Sequence, residues 1–159
     1  MTPQKQKYLF NDGSGQFGDC HRTCIAMLLN MPRDEVPHFM QSVPYGTPPG
    51  DPLQAAAAKA EAEWLAERGL AAVSWGYTGD TPLEDVIAVT VKQTRAPLIL
   101  GCTSQNDCNH SVVLYDGQIY NPNGGEIKGP MQDGYWWLTA ISVGPNFDIY
   151  SRPEPLAQD

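Results

Sequence analysis

Hydrophobic and polar positions along the chain change period several times, and each change marks an element. The opening is polar and rich in glycine (Gly13, Gly15 and Gly18) and follows neither a helical nor an alternating pattern. The stretch CHRTCIAMLLN then places Cys20, Cys24, Ala26, Met27 and Leu28 near a 3.6-residue repeat. Asp19 stands where an N-cap belongs and Pro32 closes the far end, so the pattern predicts a helix from Cys20 to Asn30. Pro32 followed by Asp34 and Glu35 reads as the start of a second short helix reaching Ser42. The run VPYGTPPGDP is a loop. Asp51-Pro52 opens the longest helix, with Leu53, Ala57, Ala60, Trp64 and Leu65 on its apolar face and Gly69 at its end.

The second half reads differently. Ala71 to Trp75 is a short strand, and Thr81-Pro82 caps a helix, LEDVIAVTVKQ, that its β-branched residues weaken. Pro97 to Gly101 is a buried strand. Asp116-Gly117 between SVVLY and QIY is a strong hairpin signal. Tyr135 to Val143 is a further strand, in which Trp136 and Trp137 face opposite ways. Helices come first and strands after, which predicts an α+β fold with helices packed on one side of an antiparallel sheet. The expected organisation is one domain over 1–159, with 1–19 an irregular arm and 152–159 a flexible tail.

Composition narrows the function. Of 159 residues 42% are hydrophobic and 18% charged, as in a globular chain. The net charge of −8, with no cluster of Lys or Arg, disfavours nucleic acid and anionic membrane surfaces as partners. No apolar run approaches the ~20 residues of a bilayer span, and MTPQKQKYLFNDG lacks the apolar stretch of an export signal. The expected location is therefore cytoplasmic, with Cys20, Cys24, Cys102 and Cys108 reduced.

The residues that carry chemistry are Cys20 and His110. A helix N-terminus and a nearby imidazolium both lower a thiol pKa, and Cys20 sits where the helix begins. His110 stands at the mouth of the SVVLY strand, and the Asp-Gly turn brings Asn121 back beside it. This is a nucleophile, a base and an orienter in the order Cys, His, Asn. Cys24 reads as core, His38 as a surface or structural hydrogen-bonding residue, and His21 diverges from Cys20 around the helix and is not the base.

The segment GDCHRTCIAMLLNMPRDEVPHF resembles the cysteine-bearing helix of papain-like peptidases, closest to their bacteriocin-processing branch. NHSVVLYDGQIYNP resembles the histidine block of the same branch, and short phage and bacterial proteins carry both blocks. The resemblance covers under a third of the chain. It implies a papain-like fold, a Cys20 thiolate, a His110 base, an Asn121 orienter, and a peptide or amide-containing substrate. The family places an oxyanion glutamine about six residues before the cysteine. Here that position is Ser14; Gln16 is the nearest glutamine and takes the role, with Asn11 behind it, and His21 replaces the branch's glycine. No cofactor or metal is expected. Two other readings use the same residues: a catalytically inactive binding protein on this scaffold, such as a phage or host-interaction factor, and a zinc domain built from the four cysteines and His110.

Overall fold

Apolar residues on both faces of its central strands make the sheet the organising layer. The computed structural model describes residues 1–9 and 17–143. Its elements are α1 (Cys20–Leu29), α2 (Pro52–Ala66), β1 (Leu70–Thr78), α3 (Leu83–Gln93), β2 (Leu98–Ser104), β3 (Asn109–Tyr115), β4 (Gln118–Tyr120), β5 (Ile127–Gly129) and β6 (Tyr135–Val143). The sheet runs β1-β6-β2-β3-β4, with β5 added to β2 where the register shifts between Thr103 and Ser104. Its strand pairs are antiparallel, and the architecture is α+β.

Both faces of the sheet are covered, which corrects the expectation of helices on one side. Leu98, Leu100, Val112 and Leu114 pack with Val86 of α3, whereas Ile99 and Val113 pack with Ile25 and Met27 of α1. Burial on two faces explains why β2 reads as a continuous apolar run rather than an alternation.

Local outcomes follow residue chemistry. Helix α1 ends on Asn30 in the left-handed region (φ 52°), and α2 starts on Asp51, whose carboxylate accepts the Leu53 N–H at 2.8 Å. The second helix shrinks to a 3₁₀ turn over Arg33–Glu35, because Val36 turns extended ahead of Pro37, as residues before proline do. On α2 only Ala57 and Leu65 are buried; Leu53 is half exposed and Ala60 faces solvent, so the expected apolar face is narrower than its composition suggests. The hairpin turn has Asp116 and Gly117 at φ 49° and 73°, the positive angles an Asp-Gly pair tolerates. Trp136 is buried while Trp137 is exposed.

Asp19 occupies the N-cap position without capping the helix. Its buried carboxylate instead accepts the backbone N–H groups of Lys7 and Tyr8, both at 2.9 Å, and pairs with Arg22 at 2.9 Å. The Asp19 N–H returns a bond to the Tyr8 carbonyl at 3.1 Å. A charged donor and two converging backbone donors outcompete a single helix N–H. The arm is thereby strapped across the start of α1, and Gln6 N–H reaches the Pro122 carbonyl at 3.2 Å, beside Asn121. Thr81 likewise does not cap α3; Pro82 stands at that N-cap.

Candidate active site

Cys20 is the first residue of α1 and is half-buried. The backbone N–H groups of Ser111 and His21 lie near enough to its thiol to favour the thiolate. Strand β4 pairs only with Val113 to Tyr115, so it makes no claim on the Ser111 N–H. Two segments ninety positions apart thus meet at the peptide that joins His110 to Ser111.

The hairpin brings His110 and Asn121 together. His110 Nε2 lies 2.8 Å from Asn121 Oδ1. The Asn121 amide is itself held: Nδ2 donates to the Gly125 carbonyl at 2.7 Å and Oδ1 also accepts the Asn123 N–H at 3.1 Å. With Oδ1 as acceptor, Nε2 carries the proton and Nδ1 keeps the lone pair a base needs. Among the described residues no hydrogen bond joins the Cys20 sulfur to His110. Strand alternation is consistent with this: Ser111 faces His21 of α1, so the neighbouring His110 side chain leaves β3 on the opposite face.

Electrostatics set the resting protonation. Burial pushes the Cys20 thiol up to about 11; the two N–H groups pull it down by less, and Cys108 and Asp19 push the same way as burial. Burial also holds His110 below its ordinary value, while the bond to Asn121 works against that. Both shifts favour the neutral thiol and the neutral imidazole over an ion pair.

The other cysteines are structural. All four are free thiols, Cys24 and Cys102 are wholly buried, and Cys108 Sγ lies 3.0 Å from Ser104 Oγ. Burial drives the Cys24 thiol well up and Cys102 to about 12. Among the described residues no three His, Cys, Asp or Glu side chains are grouped as a metal ion would require. Gln16, Ser14 and Asn11 lie outside the described residues, as does the 152–159 tail. His38 is tied to the Phe17 carbonyl at 3.1 Å and stacks on Tyr8.

No family model, curated protein or solved structure matches the chain. The site therefore has to be read from its own geometry. Sequence reasoning missed two polar members of it, Glu61 and Ser111. His21 Nε2 lies 3.1 Å from Glu61 Oε1 and its Nδ1 lies 3.3 Å from Ser111 Oγ. No local signal could have found them, because the partners stand 40 and 90 residues away. Among the described residues no helix is long and apolar enough to cross a membrane.

Proposed function

We propose that the chain is a small papain-like thiol hydrolase that cleaves a peptide or related amide bond through Cys20, His110 and Asn121. The observation that carries this reading is the nearness of the Cys20 thiol, at a helix N-terminus, to the peptide after a histidine whose Nε2 is held by an asparagine. His110 Nδ1 takes the thiol proton as sulfur attacks the carbonyl carbon, which suits a pair whose shifts favour the neutral forms. The tetrahedral oxyanion forms at the start of α1, where the Cys20 backbone N–H is a donor. Collapse expels the amine, protonated by His110, and leaves a thioester on Cys20. Water, deprotonated by the same ring, then releases the acid and restores the thiol. Asn121 keeps the imidazole in the tautomer that both steps use. Four free thiols suit a reducing, cytoplasmic setting, and the net charge of −8 argues against nucleic acid as a partner.

A second reading, a binding protein on the same scaffold, is favoured by the raised Cys20 thiol and by the lack of a hydrogen bond from sulfur to His110. An epoxysuccinyl-peptide probe with site mapping by mass spectrometry separates the two. Hydrolase chemistry gives selective labelling of Cys20 over the other three cysteines, strongly reduced in His110→Ala. Equal or absent labelling at Cys20 leaves the binding protein.

A further inference from the structure

The His21 ring spans three elements. From the first turn of α1 it meets Glu61 on α2 through Nε2, at 3.1 Å, and Ser111 on β3 through Nδ1, at 3.3 Å. The backbone N–H groups of that same Ser111 and of His21 also act on the Cys20 thiol, favouring its thiolate. We propose that Glu61 and His21 are positioning residues that couple the Cys20 thiol to a second ionisation, that of His21. This deepens the hydrolase reading and rests on Cys20 being its reactive thiol.

The chemistry of the hydroxyl makes the coupling specific. As an imidazolium, His21 donates from both nitrogens, so Ser111 Oγ accepts and a positive charge stands one residue from the sulfur. As a neutral ring, it keeps the Nε2 proton on the Glu61 carboxylate, and bare Nδ1 requires Ser111 to turn its own proton inward. The hydroxyl reverses role and the charge is lost. The His21 side chain is 41% exposed and that of Glu61 20%, so bulk water can exchange the proton without opening the fold. Among the described residues the charged surroundings are few. Glu61 faces His21 from α2, Ser111 is a neutral partner on β3, and on α1 itself Asp19 is tied to Arg22. Burial opposes charge on His21, but Glu61 outweighs it and holds the ring above its ordinary range.

The test follows the rate of iodoacetamide alkylation at Cys20, resolved by peptide mapping, from about pH 5 to 10. An isolated thiol gives a log rate that climbs with unit slope below its pKa. In the coupled site the acid limb lies roughly tenfold above the line extrapolated from the alkaline limb, with a flattened step at the His21 titration. His21→Asn removes the step and leaves one line of unit slope. Glu61→Gln moves it to lower pH, as does the His21 ring titration followed by NMR. Unchanged profiles in both variants, with Cys20 still alkylated selectively, overturn the relay and leave the hydrolase reading standing. A Cys20 that reacts no faster than Cys108 in every variant instead removes the reading on which the relay rests.

Discussion

His110 and Asn121 face each other across the β3–β4 turn, with Nε2 2.8 Å from Oδ1. The asparagine is more than a hydrogen-bond partner, since its amide also closes the 121–125 turn through Gly125 and Asn123. Its bond is the influence that raises the His110 pKa against burial. Asn121→Ala is expected to lower the His110 pKa further, read by NMR titration of the ring. Leaving the Gly125 carbonyl and the Asn123 N–H without partners costs about 1–3 kcal/mol of stability in urea unfolding. A His110 pKa that stays put contradicts the assignment.

Asp19 is the buried anchor of the arm. Asp19→Ala leaves two backbone N–H groups unpaired and removes the buried partner of Arg22, which keeps only the Val36 carbonyl and the exposed Asp34, and is expected to destabilise the fold by about 3–5 kcal/mol. Amide exchange at Lys7 and Tyr8 should accelerate in the same variant. A loss under about 1 kcal/mol means that the carboxylate is not the clamp its contacts describe.

The His21–Glu61 pair gives a pH signature for stability. A raised histidine adds stability that is complete below its ordinary value of 6.5 and disappears as pH climbs through the folded pKa. A lowered glutamate adds stability that is complete above 4.5 and disappears as pH falls through its own folded pKa. The pair therefore contributes most between those two ordinary values. Burial holds His110 and His38 below their ordinary values, so each favours folding above pH 6.5 and loses that contribution on acidification. The difference between the protein and His21→Asn isolates the pair: it should peak between pH 4.5 and 6.5 and shrink on either side. A difference independent of pH rules out the ionic tie.

Two glycines should respond unequally to alanine. At Gly101 a new Cβ meets the end of Met131, Sδ at 2.5 Å, which can swing away; the cost is about 1–2 kcal/mol, and Met131→Ala should relieve it. At Gly79 the Cβ meets the Gly134 carbonyl oxygen at 2.6 Å, part of the backbone that also accepts the Gly79 N–H at 2.8 Å. Gly79→Ala should cost more, and no side-chain truncation should rescue it. Thermal unfolding of the three single variants and the Gly101–Met131 double variant checks both statements.

Features set by neighbouring residues were legible in the sequence. Asp116-Gly117 announces its turn because few residue pairs accept two positive φ angles, and that turn is what returns Asn121 to His110. The start of α1 at Cys20 is likewise written in the change of period after Gly18-Asp19. What depends on distant chain was hidden. Asp19 looks like a cap until the arm supplies Lys7 and Tyr8. Strand β5 has three residues and exists through the irregularity in β2. The side of the sheet on which α3 packs is a property of chain topology rather than of its own apolar positions. The alanine run in α2 matches either an inner or an outer face, so its composition could not say how little of it is buried. Glu61 reads as one more solvated acid until α2 docks beside His21.

The account stands or falls on His110 acting on the sulfur of Cys20, and a ratio of two rates measures that. An epoxysuccinyl peptide needs a proton delivered to its opening ring, while iodoacetamide needs only a thiolate. The ratio of the two Cys20 rate constants cancels changes in exposure and thiol pKa. If His110 serves Cys20, His110→Ala lowers that ratio by at least about a hundredfold. An unchanged ratio, with Cys20 still alkylated, means that the imidazole and the thiol do not act together.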